Sequence, residues 1–466
     1  MRSFDRNSCS VFFLILAFSP NSQGSIDMID LYNDIYISRV QIFKKIIYTP
    51  IILHTNMHKA HIIIIGSGIA GLYAAYNIKK ISPNTSFLIL EKNNKKLIGG
   101  RAHNDLFHGT EIVTGAGIGR KKKDKLLYNL LNELDIETNE FTFKPYYSNM
   151  FEPISVKNTI DYLKHKFEKY KGPRNTFRQF AKNILGDKHY RQFLLSVGNT
   201  DFENEDVYDT LYSYGMDDNY CCFKAFRVPW RLLTAKLEKI IGKQHFRFST
   251  NVSHIDKIQY NGVQKFIIDS DNGNQYLCDK IIVATTITSI RTLLRYPIYK
   301  DIEGQPFLRL YGKFSKQSIP IMKEYVKGYT CMPGPLQKII PINPDNGIYM
   351  ISYNDNKNTL TLKNNLKNTK ENRLLYCKLL EISLGIPKNS LHITTIKDYY
   401  WSIGTHYYKP LNLSIYKDRS DFINIAQHPE NGILVVGEVV SKNQGWVEGA
   451  LKSTKVLTKK WITSPQ

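Results

Sequence analysis

HIIIIGSGIAGLYAAYNIKKISPNTSFLILEKNNKKLIGGR, residues 61–101, is the stretch that decides how this 466-residue chain folds. Four consecutive isoleucines, Ile62 to Ile65, make a short β-branched run suited to a strand buried on both faces. The run stops at Gly66-Ser67-Gly68-Ile69-Ala70-Gly71, which fits G-x-G-x-x-G. In that spacing Gly66 permits a tight turn, Gly68 lets backbone approach a pyrophosphate, and Gly71 lets helix and strand pack closely. A helical pattern follows over 72–81, Pro83-Asn84 breaks it, and a second apolar strand covers 87–90. That strand ends at Glu91, twenty positions past Gly71 (91 − 71), where a carboxylate can accept hydrogen bonds from a ribose. Glu91 and the adjoining Lys92 are therefore counted with the glycines, Ser67 and Ala70 as cofactor contacts. The helix N-terminus adds free N–H groups and a partial positive charge for phosphates. Glycine triplets alone also mark ordinary turns. Strand, glycines, helix, strand and acid in this order point to a dinucleotide site.

Gly99-Gly100-Arg101 begins eight residues after Glu91 (99 − 91) and resembles the second glycine motif of the FAD-dependent amine oxidase family, the monoamine and polyamine oxidases. The resemblance implies that Arg101 lies beside the phosphates and that the cofactor is FAD rather than NAD. Thr114-Gly115-Ala116-Gly117-Ile118-Gly119 is dense enough in glycine for backbone to lie flat against a ligand. It resembles the family's D-L-G-A-x-W-I-x-G loop beside the flavin ring, which assigns Gly115, Ala116 and Gly117 to the cofactor. The usual tryptophan is missing here, and Arg120 stands where polyamine oxidases carry an acidic residue or a histidine.

A second match lies near the other end. Gly432 to Glu438 reads as a buried strand ending in Gly437-Glu438, followed by Gly445-Trp446-Val447-Glu448-Gly449-Ala450 and a helix to about residue 460. This resembles the family signature F-A-G-E…G-Y-V-x-G-A, with tryptophan in place of tyrosine. The resemblance implies Glu438 at the ribityl or pyrophosphate region and the N–H groups near Val447 toward flavin O2, where reduction builds negative charge. Trp401 to Tyr408 resembles the W…G-x-Y segment, so Tyr407 and Trp446 become two walls of an aromatic cage that attracts an amine and excludes water. His406 aligns with the cysteine that binds flavin covalently in monoamine oxidases. A histidyl–flavin bond and a hydrogen-bonded pocket histidine both follow as readings. Val252 aligns with a valine that contacts adenine.

Between these ends, residues 125–134 form an amphipathic helix with leucines on one face. Helical patterns cover 159–195, interrupted near Gly172-Pro173, and 229–241. Their aromatics, with Tyr146 and Tyr147, read as core. Strands follow over 246–248, 251–255, 265–269 and 280–284, between Asn-Gly and Asp-Asn-Gly turns. Further strands at 307–314, 337–342, 348–353 and 391–401, with a helix at 371–384, make a second lobe. Relatives carry a lysine in its first strand, bonded through water to flavin N5. The register here puts Phe307 at that place, with Arg309 and Lys313 nearby.

A hydrophobic fraction of 42% excludes a disordered chain, and the length allows two cores. The net charge of +22 is spread through a chain rich in Asn, Ile and Tyr, and its one dense run is Arg120 to Lys123 with Lys125. That indicates no specific nucleic-acid partner. The six cysteines, Cys9, Cys221, Cys222, Cys278, Cys331 and Cys377, show no metal-ligand spacing and read as free buried thiols in a reducing compartment. Residues 11–18 are apolar and of signal-peptide length, too short to span a bilayer, but Asp5 and the missing A-x-A site argue against a leader. Met57, just ahead of the first strand, is the expected start. The protein is then cytoplasmic, or secreted if residues 1–25 do act as a leader.

The expected fold is α/β: a Rossmann-like FAD-binding domain (57–120, 230–300 and 402–462) and an α+β substrate domain (121–229 and 301–401), after an extension over 1–56. The resemblance implies hydride transfer from the carbon beside a neutral amine to flavin N5, with O2 giving hydrogen peroxide. Arg120, facing the pocket, would favour an amino acid; a solvated Arg120 would not. A non-amine FAD desaturase and a flavin protein without turnover are the other readings. The catalytic set is Tyr407, Trp446, His406 and Arg120.

Overall fold

The computed structural model describes residues 57–464, Cys221 excepted. Expectations for residues 1–56 lie outside the described residues. The isoleucine run is the middle strand of a five-stranded, all-parallel sheet. Its order is Phe246–Arg247, Phe87–Leu90, Ile62–Ile65, Lys280–Val283 and Ile433–Val435. Ile62 and Ile64 pack into one apolar cluster with the helices Ile69–Ile81 and Trp230–Ile241, while Ile63 and Ile65 pack into another. Successive side chains alternate across a strand, so only a run apolar at every position can sit between two layers. From this strand the chain builds first to one side (Phe87–Leu90) and later to the other (Lys280–Val283). Such a reversal opens a crevice at the carboxyl ends of the strands.

The first helix begins at Ile69, three residues before the sequence pattern suggested, because Gly68 is its N-cap. Gly71 thus falls inside the first helical turn. A Cβ there would collide with the Gly66 carbonyl, which is why helix and strand can sit this close.

The second lobe is a six-stranded sheet in the order Ile393–Tyr408, Ile302–Phe314, Ile348–Asp355, Lys338–Asn343, Tyr329–Cys331 and Pro145–Tyr147. Ile393–Tyr408 does not stop at residue 401. It pairs with Ile302–Phe314 from Ile393↔Phe314 to Tyr408↔Ile302, so one strand runs out of the second lobe as far as the cofactor-side segments. The helical insert contains Val156–Glu168, Phe177–Val197 and Val207–Tyr212. Phe177, Phe180 and Phe193 are buried within it, as expected of core residues. Tyr146 is not core: it is 37% exposed, on the outermost strand of the six.

Three short strands escaped sequence reading. Ile118–Arg120, Phe223–Arg227 and Glu140–Phe143 form a separate sheet that places Arg120 on a strand rather than in a loop. The late helix spans Val447–Ser453, not residues up to 460, and a short turn then leads to Lys459–Thr463. Side-chain bonds end it: the Ser453 hydroxyl donates to the Ala450 carbonyl and accepts from Gly437 N at 2.7 Å. Cys278, Cys331 and Cys377 are free and buried. Cys222 is not free but disulfide-bonded. The free-thiol reading inferred all six thiols from an assumed compartment, and no geometry stood behind it.

Candidate functional site

The glycine turn is closed on two sides and open on the third. Gly66 has φ +104°, and a Cβ there would meet the Ala284 carbonyl at 2.6 Å; Gly71 is likewise filled. A Cβ on Gly68 would meet no protein atom within 4 Å. The backbone at Gly68 therefore faces open space at the helix N-terminus. Glu91, buried at the end of its strand, accepts hydrogen bonds from Ser67 N (2.8 Å) and Ser67 Oγ (2.9 Å) on one oxygen. Its other oxygen accepts from Asn93 N and Nδ2, both at 2.9 Å. All four acceptor positions of the carboxylate are engaged. In this arrangement Glu91 braces the turn, and a ribose hydroxyl would exchange with one of these donors. Lys92 is exposed, while Val252 packs with Ile65 and Leu90 beside the same strand ends.

Two further loops lie against the turn. Gly99 N donates to Ser67 O at 2.9 Å, and a Cβ on Gly100 would lie 3.6 Å from Gly68 Cα. Ala116 N donates to Arg101 O at 2.7 Å. The 114–117 loop is held by three side chains from distant parts of the chain. Trp401 Nε1 donates to Thr114 O (2.8 Å), Arg309 Nε to Gly115 O (2.7 Å) and Trp230 Nε1 to Gly117 O (3.2 Å). Arg309 is buried, with its guanidinium over the Tyr353 ring. Phe307 packs against Gly404 and Tyr353 instead. Arg309, which sequence reasoning mentioned only in passing, is thus the cation that reaches the glycine loop.

Glu438 ties the two chain ends together. Its carboxylate accepts from His406 N (2.9 Å), His406 Nδ1 (2.7 Å), Gly445 N (2.7 Å) and Arg101 Nη2 (3.3 Å). Arg101 also donates to Gly404 O at 2.6 Å. Burial opposes ionisation of Glu438, but His406, Arg101 and the Gly445 N–H outweigh it and hold the carboxyl at about 2. His406 takes the Ile287 N–H on Nε2 at 3.2 Å, so its own proton lies on Nδ1, toward Glu438. With both ring nitrogens engaged, His406 stands here as a hydrogen-bonded pocket histidine.

Trp446 is partly buried, ahead of the helix Val447–Ser453, which packs on the helix Ile69–Ile81. One face of its ring is covered by Arg120, whose guanidinium carbon lies 3.5 Å from the ring centroid. Arg120 itself is buried and paired with Asp124 and Asp218, each at 2.6 Å. It is neither a free pocket cation nor a solvated one. The rest of the basic run is also paired: Lys121 with Glu140, and Lys123 with Asp217 and Asp218. The sequence could not show this, because Asp217, Asp218 and Glu140 arrive from strand and turn segments far along the chain. Tyr407 is partly buried at the end of the long strand, beside a small cavity it shares with His406, Gln305, Asp201 and Glu205. The last three were not singled out from sequence. Among the described residues no group of three or more His, Cys, Asp or Glu is placed to hold a metal, and no helix is long and apolar enough to cross a membrane.

A family model for an NAD(P)-binding Rossmann-like domain matches residues 64–134, which takes in the glycine turn, Glu91 and the 99–101 and 114–117 loops. Wild-type putrescine oxidase bound to putrescine superposes with a TM-score of 0.66 over 86% of this chain and 98% of that one, at 12% identity. The fold is that of putrescine oxidase. A redesigned double mutant of the same enzyme gives a TM-score of 0.66 over 85% and 98% of the two chains, at 14% identity. Nearly the whole of that enzyme is covered, so both lobes are shared. No curated protein matches the sequence.

Proposed function

We propose that the chain is an FAD-dependent oxidoreductase that oxidises a carbon–nitrogen bond of an amine. The observation that carries this reading is convergence. The glycine turn, the 99–101 and 114–117 loops and the Gly437–Val447 segment, drawn from both ends of the chain, meet and are cross-linked through Arg101 and Glu438. The residues fit a dinucleotide: the turn is sterically closed at Gly66 and Gly71 and open only at Gly68. Gly66, Ser67, Gly68, Ala70, Gly71 and Glu91 would hold the diphosphate and ribose, Glu438 would face the ribityl or pyrophosphate region, and Gly115 to Gly117 and Val447 would hold the ring end. Bound there, FAD supplies the hydride acceptor for the carbon beside the amine nitrogen, and O2 takes the electrons as hydrogen peroxide.

The chain's own contribution is orientation and exclusion of water. Arg120 covers one face of Trp446, and the other face would form a wall of the substrate site. His406 Nδ1 lies 2.7 Å from Glu438, so the two groups are paired with each other rather than open to the substrate. Arg120 was the reason to consider an amino-acid substrate. With that guanidinium neutralised by Asp124 and Asp218, the reason is removed.

Purified protein should be yellow, or become so on reconstitution with FAD. Anaerobic addition of amines should bleach it, and readmitted air should restore the colour with release of peroxide. Protein that takes up no flavin overturns the reading. So does yellow protein bleached by amino acids alone or by nothing in an amine panel; the latter would turn attention to non-amine substrates or to a flavin protein without turnover.

A further inference from the structure

Between the short turn Lys95–Leu97 and the helix Trp230–Ile241 lies an open cavity of about 470 Å3, outside the cofactor cradle. That is room for a small organic molecule. The glycine loop stands between the two places: Gly99 packs on Thr234 of the cavity wall, while its N–H donates to Ser67 O of the turn. The floor of the cavity is apolar. Ile98 and Ala235 line it, and the Thr234 hydroxyl is engaged with Trp230 O at 3.0 Å. The rim is cationic. Lys95 pairs with Glu238 at 2.8 Å, which satisfies the one carboxylate on the wall. Lys96 and Arg231 are exposed on the same wall and have no carboxylate partner among the described residues. The basic residues Arg120, Lys121 and Lys123 are all matched by carboxylates, whereas here the cations outnumber them three to one. Burial and Arg231 hold His103 below the ordinary imidazole value, against Asp105, so this ring adds a neutral hydrogen-bonding group to the rim.

An apolar floor under unpaired cations discriminates among ligands. Inorganic phosphate would leave the floor wet, a hydrocarbon would leave the cations without a partner, and an amine would be repelled. A molecule with an apolar body and a single carboxylate satisfies both surfaces. Its body takes apolar area out of water, and its carboxylate meets the planar fork of an arginine with paired donors. The lysine stems extend the apolar surface while their heads stay in water. We propose that this cavity binds a small amphiphilic monocarboxylate, with its apolar body against Ile98 and Ala235 and its carboxylate between Lys96 and Arg231. The site shares no side chain with the cofactor cradle, so occupancy does not require bound flavin.

Titration calorimetry of the full-length protein tests this with 4-phenylbutyrate as probe and 4-phenylbutyramide as its uncharged counterpart. It is done at low ionic strength, where exposed charges are least screened. The carboxylate should bind about tenfold more tightly than the amide. Lys96→Glu combined with Arg231→Glu reverses both rim charges at exposed positions and should abolish that preference. Ala235→Trp, also at an exposed position, fills the floor and should weaken both ligands about tenfold. If the tryptophan variant does not fold, the charge-reversed protein carries the test alone. Equal affinity for the two ligands overturns the site. So does a carboxylate preference that survives charge reversal, or binding that a folded Ala235→Trp leaves intact, since the ligand would then sit elsewhere. Inorganic phosphate displacing 4-phenylbutyrate at equal concentration also overturns it, because charge alone would then suffice.

Discussion

The Arg120 guanidinium stacks on Trp446 at 3.5 Å while both Asp124 and Asp218 hold its edge at 2.6 Å. The two carboxylates hold the cation against the aromatic ring and offset its charge. The pairing also fixes the ring, since a buried, doubly paired arginine has little freedom to move. Arg120→Met keeps the length and removes the charge, leaving the buried Asp124 without its partner. Breaking a buried pair from one side costs about 3–5 kcal/mol. Denaturant unfolding should show that loss, and the substrate panel should show no gain of amino-acid oxidation. A variant as stable as its parent would contradict the assignment.

Gly68 and Gly71 separate binding from folding. Gly68→Ala adds a methyl where no protein atom lies within 4 Å, at φ −64°, so the flavin-free protein should keep its stability within about 0.5 kcal/mol. The methyl would occupy the space offered to the diphosphate, so flavin retention on gel filtration should fall sharply. Gly71→Ala drives its methyl into the Gly66 carbonyl. It should cost about 1–3 kcal/mol as an overpacking defect even without flavin. Equal behaviour of the two variants would mean that the turn is not the cofactor cradle.

Arg309 and Lys313 share a strand but not a role. Arg309 is buried and its Nε holds Gly115 O at 2.7 Å; Lys313 reaches only the Asn346 carbonyl at the surface. Arg309→Lys removes the planar fork that makes this contact, leaving the carbonyl short of a donor at about 1–3 kcal/mol. Flavin dissociation should quicken several-fold as the 114–117 loop loosens. Lys313→Ala should change neither stability nor dissociation measurably. Stopped-flow flavin release on both variants reads the difference.

What could be read from sequence was local. Ile62 to Ile65, the glycine spacing and the 87–90 strand identify a parallel sheet and its crevice because each signal is complete within a few residues. The strand running into Gly437-Glu438 was legible for the same reason. Interactions closed over long separations were not legible. Arg120 looked free because Asp218 is 98 positions away (218 − 120), and Arg309 looked incidental because Gly115 lies on another lobe's loop. Asp201, Glu205 and Gln305 carry no motif; only folding brings their acceptors around one cavity. Glu140–Phe143 and Phe223–Arg227 were missed as strands because such short segments show too little alternation to stand out from loops.

Glu438 makes a pH prediction with a definite sign. Its carboxyl is held at about 2 in the folded protein, below the ordinary value of 4.5. A depressed carboxyl contributes stability that is fully present above the unfolded value and is lost as pH falls through the folded one. The window is therefore pH 4.5 down to about 2. Converted through linkage, the depression corresponds to a contribution of at most about 3 kcal/mol. Glu438→Gln cannot accept all four donors and should be less stable than the parent at pH 6. Urea unfolding at pH 6, 5, 4 and 3 should show that gap narrowing below pH 4.5. A gap that stays constant to pH 3 would mean that Glu438 stabilises the site through shape alone, and the Arg101–Glu438–His406 link would then not be electrostatic.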